Sequence, residues 1–273
     1  MKLNKFFILI ATMVAALGFT ACSEEESYVP GAPAGKYNVG FVGEENLVLG
    51  MTQNEIDVTL VRANGEGELE VPIQGLMVPD CVTLPASAKF ANGETETTIT
   101  VKISEDMKMF TEYALNFCVP EEYTNPYAED AANPIYNMTF IKEDFKVVAN
   151  GVFTDQILFK DAWEQPTEYS EILGLYRWPN CFAAGGHWYF QFDGENFNFC
   201  DAEGNKVETF ASGYVHKSYG MIMVDYLAGN AMGYDPDEMY FYMPLKLYVS
   251  AGSFGSNYEY YEVSEWLEKP WEK

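Results

Sequence analysis

The sequence predicts an all-β protein made of two successive antiparallel units, on three observations. Apolar and polar residues alternate with a period of two in many short segments, as in strands with one buried face. Gly-rich and Asn-Gly turns separate these segments, and sustained helical periodicity is scarce. The composition changes after Val148, because all 5 Trp and 13 of the 19 Tyr lie beyond it. We therefore expect the two units to occupy residues 36–147 and 148–273.

Residues 1–21 have the features of an export signal. Lys2 and Lys5 precede the apolar run FFILIATMVAALGF, which is too short to cross a bilayer comfortably. Small residues then lead into Cys22, and residues 19–22 resemble the bacterial lipobox. This resemblance implies cleavage before Cys22 and anchoring to a membrane through acyl chains on that cysteine. A soluble secreted protein with a chance cysteine is the alternative.

Residues 22–35 form an acidic linker that starts with Ser23 and three glutamates. This start resembles the export tag of surface lipoproteins in Bacteroidota-type cells, which implies display on the outer face of the outer membrane. A solvated linker without an export role is the alternative. The formal net charge of −25 makes nucleic acid an unfavourable partner, because it repels phosphate.

Strand alternation in the first unit is clearest at residues 98–103, where Ile99, Val101 and Ile103 share one face. Short strands of this kind, separated by turns, favour a sandwich. The segment VTLPASAKFANGETETTITVKI resembles the Calx-beta domain. The resemblance rests on Phe90 at a strand end, on the following Gly93-Glu94 turn and on the Thr-rich strand after it. It covers about the first half of the mature chain and implies an immunoglobulin-like β-sandwich.

The same resemblance implies candidate calcium ligands, because that family can bind calcium through carboxylates at one end of the sandwich. The matching positions are Asp80, Glu105 and Asp106, with Glu112 as a further candidate. Calcium takes about six to eight oxygen ligands, several of them carboxylates. Residues 107–110, which directly follow Asp106, supply no further acids, so the sequence favours a solvated acidic loop and no cofactor over bound calcium.

Strand alternation continues in the second unit, where Trp188, Phe190 and Phe192 share one face. Gly-rich loops separate its strands, which predicts a second antiparallel β-sandwich or barrel. Three strings, YRWPN, GYVHKSYG and SAGSFG, resemble a C-terminal β-domain that often follows a Calx-beta-like unit in surface lipoproteins of gut Bacteroidota. That resemblance implies architecture and location, and no activity.

Sequence motifs for catalysis are absent. There is no Gly-x-Ser-x-Gly elbow, no His-Glu-x-x-His motif and no phosphate-binding loop, and the 2 histidines are far apart. Acidic residues around 193–203 and 235–238 keep a glycan hydrolase open as an alternative, since glycosidases need two carboxylates about 5–9.5 Å apart. The sequence favours a protein that is not an enzyme.

The excess of aromatic residues suggests binding of an extracellular ligand, because exposed rings stack on sugars and form protein-binding hot spots. The candidate binding residues are Trp178 with its neighbours Arg177 and Asn180 in an expected turn, and Tyr219 in a second turn. Core filling accounts for most of the other rings. We expect glycan as the ligand, with a protein-interaction or adhesion role as the alternative.

Four cysteines follow Cys22, and two fall in each unit: Cys81 and Cys118, then Cys181 and Cys200. Their spacing fits no Cys-x-x-Cys metal or redox motif. One disulfide in each unit and four buried free thiols are both open, because a disulfide depends on distances that the sequence does not supply.

Overall fold

The computed structural model describes residues 37–43, 45–128 and 130–273. The predicted signal, the linker and the attachment site at Cys22 lie outside these residues. Within them, strands predominate, and helical structure is confined to two 3₁₀ segments, Glu121–Tyr123 and Pro270–Glu272. No helix of the described chain is long and apolar enough to cross a membrane. The predicted all-β class is confirmed.

The first unit consists of ten short strands. These are β1 (Gly40–Phe41), β2 (Glu45–Leu49), β3 (Glu55–Val61), β4 (Leu69–Pro72), β5 (Gln74–Met77), β6 (Val82–Thr83), β7 (Ser87–Phe90), β8 (Glu96–Ile103), β9 (Tyr113–Cys118) and β10 (Ile135–Lys142).

Two four-stranded sheets form most of this unit, with the orders β1-β3-β8-β6 and β2-β10-β9-β5, while β4 pairs with β7. The β2–β10 pair is parallel, and the other described pairs of this unit are antiparallel. Val58 and Val101 of one sheet share a buried cluster with Phe117 and Phe140 of the other. Because both sheets fill one core, they pack face to face, and the predicted immunoglobulin-like sandwich is confirmed.

The second unit also has ten strands. These are β11 (Lys146–Thr154), β12 (Ala162–Ser170), β13 (Leu175–Trp178), β14 (Trp188–Phe192), β15 (Phe197–Cys200), β16 (Thr209–His216), β17 (Gly220–Tyr226), β18 (Gly233–Asp235), β19 (Tyr240–Val249) and β20 (Gly252–Trp266).

These strands form one antiparallel sheet with the order β15-β14-β13-β12-β11-β20-β19-β17-β16, and β18 pairs with β19. The sheet curls until its two ends meet. Trp188 Nε1 on β14 donates to the Ser212 carbonyl on β16 at 3.0 Å, and the Phe199 and Phe210 rings of the two edge strands lie 4.9 Å apart. The curled sheet encloses a single core rich in aromatic side chains.

Residues 143–145 connect β10 to β11 and separate the two buried clusters. The boundary expected between residues 147 and 148 therefore falls inside β11. The Phe145 ring contacts Phe110 of the first unit and Tyr189 of the second, each at a centroid distance of 6.1 Å. The Arg177 guanidinium carbon lies 3.8 Å from the centre of the Phe145 ring, so a cation–π contact ties the connection to β13.

Candidate ligand-binding cleft

Trp178 lies in the core of the second unit. It is the last residue of β13, and its side chain is fully buried. Its ring lies 4.5 Å from the Phe190 ring and 5.0 Å from the Tyr261 ring, and its Nε1 donates to Thr167 Oγ1 at 3.0 Å. The prediction that this ring stands in an exposed turn is wrong, because the strand continues through residue 178 and the turn begins at Pro179.

Arg177 is also buried, and its guanidinium faces the connection between the units. Nε donates to Glu168 Oε2 at 2.6 Å, while a guanidinium Nη1 lies 2.7 Å from Glu143 Oε2. The second contact is an ion pair without an aligned hydrogen bond. Burial opposes the guanidinium charge, but the two carboxylates outweigh burial and raise the pKa of Arg177. Arg177 is therefore not presented to a ligand, contrary to the prediction.

The loop at residues 155–161, between β11 and β12, is built around a buried carboxylate. Asp155 accepts hydrogen bonds from the backbone N–H groups of residues 157–160. Its own N–H donates to the Asp161 carbonyl at 2.9 Å and closes the loop. These bonds satisfy backbone groups that have no strand partner. They hold Phe159 at the surface, with 42% of its side chain exposed.

Glu259 of β20 supports the same loop from the core, where it is fully buried. Its Oε2 accepts a hydrogen bond from Gln156 N at 2.7 Å, and its Oε1 has no hydrogen-bond partner among the described residues. Burial, followed by the charge of Asp155, raises the pKa of Glu259 to about 9. At neutral pH Glu259 is therefore protonated and uncharged.

The loop at residues 179–187, between β13 and β14, faces the first loop. Asn180 adopts a left-handed φ of 52°, and its Oδ1 accepts a hydrogen bond from Gly185 N at 2.7 Å. Gln165 on β12 donates from Nε2 to the Pro179 carbonyl at 2.8 Å. These two bonds fix the start of the loop and leave the Asn180 side chain exposed.

Two glycines bring this second loop against the edge strand β16. A Cβ atom on Gly213 would lie 2.2 Å from the Cα atom of Gly186, and Gly213 has a φ of 85°. Only a residue without a side chain fits at either position. The contact lies where the register of β16 shifts between Ala211 and Val215, a bulge that locally bends the strand.

The two loops line an open cleft of about 340 Å³, named here the aromatic cleft. It is lined by Phe159, Asp161, Trp163, Asn180, Cys181, Phe182, Ala183 and Ala184.

Three aromatic rings of this cleft pack edge to face. The Phe182 ring lies 5.5 Å from Phe159 and 5.7 Å from Trp163, and the Phe159 and Trp163 rings are 6.2 Å apart. Trp163 stacks on the buried Phe153 ring at 5.3 Å, which anchors the group to the core. The arrangement is a rigid apolar wall with Phe159 as its most exposed ring.

Asn180 and Asp161 supply polar groups beside this wall. Asn180 Nδ2 has no hydrogen-bond partner among the described residues, so two N–H donors are available. The exposed Asp161 carboxylate accepts a hydrogen bond from the Ala162 N–H at 2.8 Å and has further acceptor capacity. An apolar wall with a few placed donors and acceptors is the usual chemistry of a small-molecule site.

Tyr219 lies in the turn between β16 and β17, and 54% of its side chain is exposed. Its ring stacks on His216 at 4.8 Å and lies at the edge of a second cleft. Of the four predicted binding residues, the structure therefore leaves Asn180 and Tyr219 at the surface and buries the other two.

The apolar wall of Phe159, Trp163 and Phe182 was not predicted from the sequence. One signal was available at the first loop. The Asp155–Asp161 segment interrupts strand alternation with consecutive apolar residues between two acids, as expected of a loop that presents a side chain. The approach of the second loop has no comparable signal, because it depends on the curl of the sheet.

No protein-family model matches this chain, and no curated protein matches its sequence. The chain is similar to the solved apo CBD1 domain of Calx, with 15% identity and a TM-score of 0.28 over 39% of this chain and 96% of that domain. A Bacteroides ovatus protein provisionally described as carbohydrate binding has 13% identity and a TM-score of 0.31 over 80% of this chain and 69% of its own.

An auxiliary nutrient binding protein from Bacteroides thetaiotaomicron has 8% identity and a TM-score of 0.35 over 81% of this chain and 90% of its own. Two of these three proteins are thus described as binding proteins. At such low identities and TM-scores the similarities identify no ligand, and the function has to be argued from the cleft.

The predicted calcium ligands are exposed on neighbouring turns of the first unit. Ser104 N donates to the Cys81 carbonyl at 2.8 Å, which places the turn of Asp80 beside the turn of Glu105 and Asp106. Even so, the described residues contain no group of three or more His, Cys, Asp or Glu that could hold a metal ion. Calcium binding at Asp80, Glu105 and Asp106 therefore stays a prediction from the sequence.

Carboxylates considered for glycan hydrolysis serve turns of the second unit. Hydrogen bonds from the backbone and side chain of Asn196 lower the pKa of Asp193 to about 2. Hydrogen bonds from the side chain and backbone of Asn205 lower the pKa of Asp201. Asp235 likewise accepts the N–H groups of residues 237 and 238. Asp193 and Asp201 are held ionised, which is unsuited to a general acid.

The four described cysteines are free thiols, which answers the question that the sequence left open. Burial raises the pKa of Cys181, which lies at the base of the aromatic cleft, and the pKa of Cys200, the latter to about 12. These two thiols are protonated at neutral pH and behave as small apolar groups.

Proposed function

We propose that this protein binds a neutral glycan in the aromatic cleft. The observation that supports the proposal is the partly exposed wall of Phe159, Trp163 and Phe182 beside the free donors of Asn180. Sugars combine apolar C–H faces with a ring of hydroxyl groups. The aromatic rings match the C–H faces, and Asn180 and Asp161 match the hydroxyls.

The ligand is uncharged in this proposal, because the chain carries a formal net charge of −25 that disfavours anionic glycans. Such a surface repels sulfated and uronic-acid polysaccharides at a distance and lowers their rate of association. Asp161 adds a negative charge at the rim of the cleft itself. Neutral polysaccharides escape this repulsion.

The proposed role is binding without catalysis. A glycosidase needs two carboxylates that flank the bond to be cleaved. Asp161 is the single carboxylate among the residues that line the aromatic cleft. Asp155 and Glu259 lie close to the loop but are fully buried, so they cannot reach a substrate in the cleft.

The proposed location is the outer face of the outer membrane, with acyl chains on Cys22 as the anchor. The support comes from residues 1–26 of the sequence, which combine an export signal, a lipobox-like run and an acidic tag.

Cys22→Ala should abolish labelling by a fatty-acid probe and release the protein from membranes, and continued labelling would contradict the anchor. Protease added to intact cells should digest the wild type, whereas full protection until lysis would place it in the periplasm.

Binding is tested with a panel of polysaccharides and the purified chain from residue 23 onward. The neutral members are starch, xylan, mannan and mixed-linkage glucan, and the anionic members are polygalacturonate and chondroitin sulfate. We expect at least one neutral member to bind and the anionic members not to bind. No binding to any member would overturn the proposal and favour the protein-interaction role.

Two variants test whether the glycan binds in the aromatic cleft. Phe159→Ala removes the most exposed ring, and Asn180→Asp keeps the acceptor for Gly185 N while removing both N–H donors. Each should weaken binding roughly five- to tenfold, since a stacked ring or a hydrogen bond contributes about 1 kcal/mol. Tyr127→Ala, at a ring of the first unit that is 82% exposed, is the control and should bind like the wild type. Equal affinities in all variants would place the binding elsewhere.

A further inference from the structure

Tyr219 lies on a second cleft of about 300 Å³ that has no role in the proposed function so far. This cleft, named the turn cleft, is lined by Tyr219, Val249, Ala251, Gly252, Ser253 and Phe254. The Tyr219 ring stacks on His216 at an interplanar angle of 22°, and the Phe254 ring lies 5.8 Å from His216. The turn cleft thus combines an exposed ring with a supporting imidazole.

The turn cleft and the aromatic cleft lie at the same end of the second unit. A Cβ atom on Gly255 of β20 would lie 3.5 Å from Ile157 Cγ2, so the strand that follows the turn cleft packs against the loop at residues 155–161. On the other side, the Tyr214 ring of β16 contacts the Phe159 ring at 5.2 Å. Gly255 directly follows Phe254 of the turn cleft, and Ile157 lies on the loop that carries Phe159 of the aromatic cleft.

Tyr214 connects the two clefts through a row of rings. Tyr214 and His216 are two residues apart on β16, at the end of the bulge where the register shifts between Ala211 and Val215. Phe159 lies at one end of this pair and Tyr219 at the other. Phe159, Tyr214, His216 and Tyr219 thus follow one another in a row, in which the step from Tyr214 to His216 runs along β16 and the other two steps are ring contacts. Both terminal rings are exposed.

His216 also presents a polar group along the row. Its Nδ1 accepts a hydrogen bond from Ser218 N at 3.2 Å. In a neutral imidazole the proton then resides on Nε2, which becomes a donor. Nε2 has no hydrogen-bond partner among the described residues. A hydroxyl group between the two clefts can accept this hydrogen bond.

We propose that the aromatic cleft and the turn cleft form one extended site for a neutral oligosaccharide or polysaccharide of several sugar units. The inference rests on the proposed function. A single sugar covers one ring of the row, whereas a chain of sugars covers the exposed rings at both ends. Simultaneous occupation of two linked sites raises affinity without any new contact, so longer ligands bind more tightly.

The test uses malto-, cello-, xylo- and manno-oligosaccharides of one, three and six units with the full-length mature chain. For the series that binds, we expect the affinity to rise at least tenfold from the single sugar to the hexamer. Tyr219→Ala should weaken hexamer binding at least fivefold and leave the affinity for the single sugar unchanged. Phe159→Ala should weaken both lengths, and Tyr127→Ala should weaken neither.

The outcomes separate this inference from the proposed function. Binding that does not increase with length, or a hexamer affinity unaffected by Tyr219→Ala, would overturn the extended site while glycan binding at the aromatic cleft stands. An absence of binding at every length and for the parent polysaccharides would overturn both. Because the Tyr219 ring is more than half exposed, circular dichroism of Tyr219→Ala should match the wild type.

Discussion

Trp178 and Phe159 are both large aromatic residues, but the structure places them in opposite environments. Trp178 ends β13 and contacts rings from β11, β14, β15, β19 and β20, so it lies near the centre of the curled sheet. Phe159 lies on a loop whose backbone is bonded to the Asp155 carboxylate, and nearly half of its side chain is exposed. One ring stabilises the fold, and the other is available to a ligand.

Trp178→Ala should therefore act on stability. We expect a loss of about 3–5 kcal/mol in the free energy of unfolding, because the change leaves a large cavity and removes the donor to Thr167. Urea denaturation followed by tryptophan fluorescence measures this loss. Phe159→Ala serves as the control, with an expected change below about 1 kcal/mol. A stable Trp178→Ala protein with weakened glycan binding would restore the role that the sequence suggested.

Glu259 makes stability depend on pH in a defined direction. Its pKa is about 9 in the folded protein and 4.5 ordinarily, so the folded state holds a proton that the unfolded state releases between these values. The free energy of unfolding then falls as the pH rises from about 5 to 9. Burial also raises the pKa of the neighbouring Cys181 thiol, which therefore stays protonated over this range.

Glu259→Gln imitates the protonated carboxyl and should remove this dependence. The wild type should lose at least about 1 kcal/mol between pH 5 and pH 8, or roughly 2–4 °C in Tm for a chain of this size. Differential scanning fluorimetry at several pH values compares the two proteins. Because the two proteins differ only at residue 259, parallel curves of Tm against pH would contradict a protonated Glu259.

At the level of structural elements, the aromatic cleft depends on two loops and on the bulge of β16. Asp155 shapes the first loop, and Asn180 fixes the start of the second. The Gly186–Gly213 contact brings the second loop against β16, and Trp188 Nε1 bonds to the neighbouring Ser212 carbonyl. The cleft therefore forms only when both ends of the sheet are in place.

Gly213→Ala tests this dependence. The added methyl would lie 2.2 Å from the Gly186 Cα atom, so the second loop must move away from β16. Glycan affinity should fall at least fivefold, and the free energy of unfolding should fall by about 1–3 kcal/mol. Gly229→Ala is the matched control, since Gly229 has a similar φ of 89° but no neighbour within 4 Å of the added Cβ. Equal losses of affinity and stability in Gly213→Ala and Gly229→Ala would show that backbone strain alone, and not the contact with Gly186, causes these losses.

In the whole molecule, residues 143–145 join the two hydrophobic clusters, and Arg177 holds this connection against the second unit. Glu143 neutralises the buried guanidinium, and Phe145 lies under it. β11 follows directly and occupies the middle of the ten-stranded sheet, between β12 and β20. Any separation of the units has to keep residues 143–149 with the second one.

A fragment of residues 143–273 should fold and bind the same glycan as the full chain. A fragment of residues 150–273 should melt at a lower temperature, because it lacks the fully buried Val148 and leaves Arg177 without Glu143. Burial of a valine alone contributes about 1.5–3 kcal/mol. Circular dichroism during heating compares the fragments, and equal melting temperatures would mean that the connection adds nothing to the second unit.

Local pattern was enough to predict the fold class and the buried face of many strands. Ile99, Val101 and Ile103 are buried on β8, and Trp188 and Phe190 are buried on β14, as alternation predicted. Successive side chains of a strand point to opposite faces, so this information is contained in a few neighbouring residues. The all-β class required nothing more distant than the spacing of these strands and turns.

The composition of the aromatic cleft, by contrast, was decided by tertiary structure. The end of β13 at residue 178, the partners of Arg177 and the meeting of residues 186 and 213 all depend on strands far apart in the sequence. The sequence around a ring next to a Pro-Asn turn is the same whether the strand ends before that ring or includes it. The local sequence therefore does not decide whether the ring is buried. Pairing with β14 and the curl of the sheet settled that question, because burying Trp178 among aromatic rings removes more apolar surface from water than exposing it in a turn.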